Sequence, residues 1–407
     1  MSMPDPSKAK SLLLMIAGAK GAVGSTVAVA AAAMRRHPES VLPSLTTGEM
    51  FPQLDPFQPI QMVGWDSTDT TLLGAVKANG VLVEELWKPY ADDLDLVQVK
   101  MAPPDDLDLQ GQVEQLQQDI QEFRDQFPQA QAVLINLLPA TAEPDLKHFE
   151  SLSQLYSDFD NGSFPDLAYT LAAILADVPV VNFTPNEVEI PVVIDEAVKR
   201  GVPISGRDGK TGQTYLKTVL ASALKARNLF VDGWYSLNIL GNQDGKNLMD
   251  PDRAAGKLSN KIEILDEILD YKVGEKYGAP SHKVQIDYYP PRGDAKEAWD
   301  AIDFLGLFGL PMSIRLNLQG RDSVLAAPLV LDLARWMVVL QMAGHSGPIS
   351  ELAFYFKQPV GTDPPTTFQD QVASLRNLEL ACEQKMEAPS QSSGQAGRGQ
   401  KAAGTKN

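Results

Sequence analysis

A six-residue apolar run, Leu12–Ala17, passes directly into Gly18-Ala-Lys-Gly21-Ala-Val-Gly24 and then into the alanine-rich stretch Val27–Met34. Strand, glycine turn and helix in that order admit few folds. Glycines let the backbone turn sharply and approach a pyrophosphate, and free N–H groups at the start of the next helix favour an anion. The spacing is Gly-x-x-Gly-x-x-Gly, not the Gly-x-Gly-x-x-Gly of the usual dinucleotide fingerprint. By itself the turn therefore fits either a cofactor loop or a plain βα connection. An acidic residue closing the second strand is expected to hold ribose hydroxyls. Asp66, in Val63-Gly-Trp-Asp66, stands at such a strand end, about 40 residues after the turn where about 20 is usual. An excursion through Pro43–Pro59 accounts for the delay; a surface loop is the competing reading of Asp66.

The alternation continues to about residue 205. Strands are expected at Leu12–Ala17, Ile60–Trp65, Leu96–Met101, Ala132–Leu138 and Val178–Phe183, with helices at Val27–Met34 and Val113–Phe123 between them. Continuous apolar strands alternating with helices point to a parallel sheet covered on both faces. From about Tyr215 the character changes. Strand-like runs at Trp234–Leu240, Lys283–Tyr289 and Ser313–Leu318 are separated by polar helical stretches, as in an α+β insertion with a more open sheet. After Asp322 the chain reads as helical through Ala343, and from Ala388 to Asn407 it turns to Ser, Gln, Gly, Ala and Lys without apolar periodicity, a tail expected to be disordered.

Composition excludes several classes. A net charge of −17 argues against nucleic-acid and anionic-membrane binding, since phosphate contacts need clustered Lys and Arg. The single cysteine, Cys382, rules out an intrachain disulfide and fits a reducing compartment. Four scattered histidines, His37, His148, His282 and His345, form no ligand cluster, so no metal site is expected. Leu12–Ala17 is too short to span a bilayer and no longer uninterrupted apolar segment follows; a cytoplasmic protein is expected.

An acidic protein that grips an anionic substrate must gather cations locally. Lys257 and Lys261, in Lys257-Leu-Ser-Asn-Lys261, share one face if that stretch is helical, and Lys296 follows the Gly293-Asp294 turn. Asp208-Gly-Lys-Thr211-Gly-Gln213-Thr packs carboxylate, ammonium, hydroxyl and amide into seven residues, and Asn238-Ile-Leu-Gly-Asn242-Gln-Asp244 follows a strand. Each has a plain structural alternative: turns for the Asn/Asp/Gly loops, a solvated helix face for the lysines, helix caps for Asp294 and Asp322, and a snorkelling side chain for Lys357.

Taken together and in this order, these segments resemble the inositol-3-phosphate synthase (myo-inositol-1-phosphate synthase) family. The resemblance runs from Leu12 to about Pro359, and Gly206–Lys217, Asn238–Leu248, Lys257–Lys261, Gly293–Lys296 and Asp322–Asp332 carry it, with Gly64-Trp-Asp66 on the cofactor side. It implies an α/β fold, a Rossmann-type NAD-binding domain interrupted by an α+β catalytic and oligomerisation domain. The implied division is residues 1–214 for the first part of the NAD domain, 215–321 for the inserted domain, 322–387 for the helical return and 388–407 for the tail. It also implies a homotetramer and a cyclase in which glucose 6-phosphate is oxidised at C5 by NAD, enolised, closed by an intramolecular aldol step and reduced again.

By that resemblance Lys257 is the base for the C5 hydroxyl. Lys296 and Lys357, supported by Lys261, stabilise the oxyanions of enolisation and aldol closure. Thr211, Gln213, Lys261 and Lys296 hold the phosphate. Asp208, Asn242 and Asp322 orient lysines or bind sugar hydroxyls, and Asn238 is a further substrate contact. Gly18, Gly21, Ala22, Val23, Gly24, Asp66, Asp244 and Asp294 face the cofactor. The chain departs from the family at Lys20 and Val23, where a glycine and an asparagine are usual, at Thr211 for a serine, and at Gln243 for an asparagine. Lys20 leaves NAD and NADP both open. The rival readings are a divergent enzyme acting on another sugar phosphate and a non-catalytic cofactor-binding protein.

Overall fold

In the computed structural model the residues described are 11–50, 59–142, 144–159, 164–241, 245–246, 249, 264–277 and 281–387. Among them the chain forms two sheets. The first has seven strands: β1 (Leu12–Ala17), β2 (Ile60–Asp66), β3 (Gln98–Met101), β4 (Gln131–Asn136), β5 (Val180–Asn182), β6 (Pro203–Ser205) and β11 (Gly347–Pro348), in the order β11-β6-β5-β4-β1-β2-β3. Every pairing in it is parallel. Strand order reverses between β1 and β4, the switch point at which ligands of such sheets bind beyond the carboxyl ends of the strands. The fold is α/β of Rossmann type.

The local causes are plain. All six residues of β1, Leu-Leu-Leu-Met-Ile-Ala, are buried, because helices cover both sheet faces. On one face lie α1 (Ala22–Arg36), α2 (Leu72–Asn79) and the long α7 (Asp322–Met342), whose Val330, Ala334 and Met337 pack into one core with Leu14 and Ile16 of β1. On the other, α3 (Leu109–Gln126), α4 (Asp166–Leu175) and α5 (Pro191–Arg200) share a second core with Leu13 and Met15. With 21 residues and a mean hydropathy of 1.8 over its most apolar 18-residue window, α7 is by length and composition long and apolar enough to cross a membrane. Its apolar window is 78% buried inside the fold. Asp332, fully buried, accepts hydrogen bonds from the backbone and hydroxyl groups of both Thr46 and Thr47 and so pins the excursion between β1 and β2 to the core.

The second sheet holds β7 (Phe230–Leu240), β8 (His282–Tyr288), β9 (Ala295–Leu305) and β10 (Pro311–Arg321) in the order β10-β9-β7-β8. Here β8 runs parallel to β7 and the other pairings are antiparallel. β7 buries alternate residues from Trp234 to Leu240, the signature of a sheet covered on one side. The cover includes α6 (Gly212–Ala226); the opposite face leaves Tyr235 and Trp299 exposed. The sequence reading placed no strand at β9 and offered a helix cap at Asp294 as the plain structural alternative. Gly293, at φ +54°, turns the chain there, and an eleven-residue strand follows. After α7 the chain returns to the first sheet, where β11 pairs with β6, and ends its described part in α8 (Phe368–Glu387).

Candidate active site

The glycine turn lies at the switch point. Gly18 adopts φ +83°, and a Cβ there would stand 3.0 Å from the Leu137 carbonyl oxygen beyond β4, so only glycine lets the two strand ends close up. At Gly24 a Cβ would come within 2.6 Å of the Ala19 carbonyl oxygen, so the third glycine seats α1 against the turn. Gly21 is the N-cap of α1 and supplies no side-chain cap to the N–H groups of the first helical turn, where Ala22 and Val23 stand. Asp66, at the end of β2, accepts the Lys20 backbone N–H at 2.8 Å through Oδ2 and Thr68 through Oδ1. The carboxylate is thus fixed beside the turn in spite of the long excursion before β2. The Lys20 ammonium donates to the Thr68 carbonyl at 2.5 Å. Uncapped helix N–H groups, close-approach glycines and a fixed acidic residue together fit a dinucleotide.

Beyond β6, the segment Asp208 to Gln213 joins the two sheets. Residues 206–210 run antiparallel to the C-terminal segment 355–360: Arg207 N–H donates to the Gln358 carbonyl at 2.6 Å, Lys357 N–H to the Asp208 carbonyl at 2.8 Å, and Lys210 N–H to the Tyr355 carbonyl at 2.7 Å. This ribbon brings Lys357 Nζ to 2.6 Å from Asp208 Oδ1. Asp208 itself sits at φ +58°, a left-handed conformation few side chains adopt, and its Oδ2 is buried without a hydrogen-bond partner among the described residues. A cavity of about 370 Å³ opens against Lys357, bordered also by Glu189, Arg207 and Ile264.

Three residues on, the Thr211 hydroxyl donates to Asp322 Oδ1 at 3.4 Å, and Asp322 Oδ2 accepts from Lys296 Nζ at 2.9 Å. Thr211 is the N-cap of α6, yet its side chain makes no capping bond. Asp322, for which a helix cap was the plain structural alternative, lies inside the first turn of α7, with Arg321 as the cap residue. Asp294 sits beside this pair, accepting from the Ser323 hydroxyl at 3.1 Å. Two residues further, Gln213 donates through Nε2 to Asp300 Oδ2 at 2.8 Å and accepts through Oε1 from Asn238 Nδ2 at 2.6 Å. Positions 208, 211 and 213 thereby touch the C-terminal segment, the start of α7 and the second sheet in turn.

Several polar residues here escaped the sequence reading. Asp300 on β9 also accepts from Trp234 Nε1 at 2.7 Å and from the Ser236 hydroxyl at 2.6 Å. Lys217 of α6 lies 2.7 Å from His282 Nε2 and over the Trp234 ring; burial pulls its pKa down to about 8 against the opposing pull of Asp300. Lys210 is buried too, with its amine donating to the Ala353 carbonyl at 2.9 Å and to Gln371 Oε1 at 2.7 Å; burial brings its pKa down to about 7. Asn136 at the end of β4 and Asn186 in the loop after β5 donate to the buried Asp166, whose pKa burial raises. Asn182 donates to Glu189 at 2.9 Å, and burial pushes that carboxyl up to about 7. The only sequence signal for this group is an Asn closing each of two apolar strands, at Asn136 and Asn182.

The structure thus brings together Asp208 with Lys357, and Thr211 with Asp322 and Lys296, and it links Gln213 to Asn238 through one hydrogen-bonded run. Asn242, Asp244, Lys257, Lys261 and the tail 388–407 lie outside the described residues.

Residues 212–323 match the family model described as myo-inositol-1-phosphate synthase. The chain is 43% identical over 257 residues to inositol-3-phosphate synthase 1 of Bacteroides thetaiotaomicron, across 61% of this chain and 59% of that protein. It therefore spans less than two thirds of that relative's length. The inositol-3-phosphate synthase of Spirodela polyrhiza is 28% identical over 373 residues, 82% of this chain and 72% of that one. The crystal structure of inositol-3-phosphate synthase from Caenorhabditis elegans superposes with a TM-score of 0.80 at 21% identity, covering 92% of this chain and 86% of that chain. A myo-inositol-1-phosphate synthase-related protein from Thermotoga maritima gives 0.72 at 21%, covering 92% and 98%. At those identities the structural likeness speaks for the fold, and the sequence matches speak for descent. By sequence, the chain is thus similar to inositol-3-phosphate synthases, most strongly over residues 212–323.

Proposed function

We propose that the protein converts D-glucose 6-phosphate to 1D-myo-inositol 3-phosphate with NAD as its cofactor and without net redox change. The observation that carries this reading is the Asp208–Gln213 segment. It runs from the parallel sheet to the second sheet and meets two lysine–carboxylate pairs, Lys357–Asp208 through Asp208 itself and Lys296–Asp322 through Thr211.

The uncapped start of α1, Gly18, Gly21 and Gly24 would hold the pyrophosphate, and Asp66 the ribose hydroxyls. A carboxylate at that place repels a 2′-phosphate, and the Lys20 ammonium is turned to Thr68, which favours NAD over NADP. NAD, when bound, supplies the acceptor and later the donor of one hydride at C5. The substrate phosphate fits the first turn of α6, where the Thr211 side chain leaves the helix N–H groups uncapped and Lys296 stands across Asp322. Lys261, from the family resemblance, adds a second cation there.

Lys257 is assigned by the same resemblance to take the C5 hydroxyl proton and later return it. Lys357 and Lys296 stabilise negative charge on oxygen during enolisation and ring closure, which needs fixed cations in place before the charge forms. Asp208 keeps Lys357 in position through Oδ1, and its buried Oδ2 is placed to accept a sugar hydroxyl. The paired carboxylates lower the electrostatic cost of gathering lysines in a buried site. We assign residues 215–321 to catalysis and assembly. The exposed face of the second sheet, with Tyr235 and Trp299, suits a homotetramer interface.

The test is to incubate the protein with glucose 6-phosphate and NAD and follow the phosphorus NMR spectrum. An inositol monophosphate forming without net NADH is the expected result. Steady NADH accumulation would identify a dehydrogenase that releases its oxidised product, and the cyclase reading would fall.

A further inference from the structure

Asp300 belongs to no recognised motif of the site, yet it is 3% exposed and three donors converge on it. Trp234 Nε1 and the Ser236 hydroxyl occupy Oδ1, at 2.7 and 2.6 Å, which leaves Oδ2 for Gln213 at 2.8 Å. A carboxylate oxygen only accepts. The Gln213 atom facing it must therefore be the NH2 group, and the other end of that amide must be its carbonyl. That carbonyl accepts at 2.6 Å from Asn238, so the Asn238 atom facing Gln213 must again be NH2. The direction of one hydrogen bond at Asp300 thus dictates the direction of the next. The run ends on Asn238 Oδ1, an acceptor that is buried without a partner among the described residues.

We infer that Asp300 is a positioning residue that fixes the polarity of Gln213 and Asn238, so that the site offers Asn238 Oδ1 as an acceptor for a hydroxyl of the sugar. An unpartnered carbonyl oxygen takes an O–H donor; against a phosphate oxygen it would be acceptor facing acceptor. Gln213 then acts through Asn238, and the phosphate is left to Thr211, Lys296 and the first turn of α6. This inference rests on the proposed function for the identity of the substrate.

The test inverts the polarity at its source and then restores it. Asp300→Asn keeps the shape, but its amide can satisfy Trp234 and Ser236 with Oδ1 only by turning an NH2 toward Gln213. Gln213 must then flip, and Asn238 Oδ1 no longer faces the sugar. In the double variant Asp300→Asn with Gln213→Glu, the new carboxylate accepts both from the amide introduced at position 300 and from Asn238, and the total charge is unchanged. kcat and KM for glucose 6-phosphate are measured on the full-length protein with NAD, well below the melting temperature of every variant. The single variant should lose roughly 10–100-fold in kcat/KM, mostly through KM, the scale of one unpaired buried polar group. The double variant should recover to within a few-fold of wild type.

A folded Asp300→Asn protein with wild-type kcat/KM overturns the inference. So does a double variant that regains its melting temperature but not its kcat/KM, since a purely structural carboxylate would give that result. If Asp300→Asn does not fold, Gln213→Leu, which cuts the run while sparing Asp300, takes its place. A similar loss supports the inference and unchanged kcat/KM sinks it. A wild type that neither binds nor converts glucose 6-phosphate overturns the proposed function and this inference with it; the variant results overturn this inference alone.

Discussion

The two sheets bury their strands differently, and only one builds its covered face from charged and amide groups. β1 is apolar and buried at all six positions, because helices press on both sides of the parallel sheet. Its chemistry is confined to the turns beyond its strands. β9 is covered on one side, and its buried positions include Ala298, Asp300 and Ile302, with Lys296 near the end of the strand. A sheet closed on both faces has nowhere to satisfy a polar side chain except at its carboxyl end. A sheet covered on one face can accept polar side chains wherever the cover returns a partner, as α6 does with Gln213 and Lys217. The first sheet therefore supplies a rigid edge, and the second supplies a polar floor.

The sharpest attack on this division is Lys357→Ala. It should cut turnover by about 10³-fold or more, as expected for loss of a cation that meets charge formed in the transition state. Melting temperature and NAD affinity, read by calorimetry, should stay near wild type. Wild-type turnover would break the assignment of the rigid edge to catalysis. Next in size is Leu14→Ala in β1, which should cost about 2–5 kcal/mol because both helical layers hold the site in place and cannot collapse onto the cavity. Urea unfolding measures it; a cost below about 1 kcal/mol would mean that the parallel sheet is less tightly closed than its burial implies.

A smaller effect tests the seam between the sheets. The folded-state pKa of Lys210, about 7, lies below its ordinary 10.5. Between those values the unfolded chain binds more protons than the folded one, so this lysine's contribution to stability rises with pH through that window. The melting-temperature difference, wild type minus Lys210→Met, should therefore move in favour of wild type from pH 7 to pH 10. A flat difference would mean that the amine is charged in the fold. The smallest effect belongs to the open face. Trp299→Ser should change the intrinsic stability of a protomer by only about 0.5 kcal/mol, yet lower the assembly state in sedimentation. An unchanged assembly would remove this face from the proposed interface.

Much of the first sheet was legible because its strands are unbroken apolar runs; β1, β2 and β4 fall within two residues of expectation. β9 was not. Lys296-Glu-Ala-Trp-Asp-Ala-Ile-Asp mixes charge and bulk on both faces, and its inward polar residues find their partners on β7, α6 and α7. Asp208, Thr211, Lys296, Asp322 and Lys357 could be named from their motifs, while Asp300, Glu189 and Asp166 stand in no motif and gain their roles from what packs over them. Lys20 shows the reverse case. Its place in the turn left the choice between NAD and NADP open, and the tertiary structure sets its ammonium on the Thr68 carbonyl.

Composition, the glycine turn and the strand periods were enough to determine the α/β class, the place of the strand–turn–helix unit and the change of character past residue 214, since all of these depend on local backbone freedom and on which residues avoid water. Tertiary structure alone decided which carboxylate meets which lysine. Asp208 and Lys357 lie 149 positions apart, and Gln213 and Asp300 lie 87 apart. Partners so distant are selected by the packing of α6 and of the C-terminal ribbon against the sheets, and no local propensity encodes them.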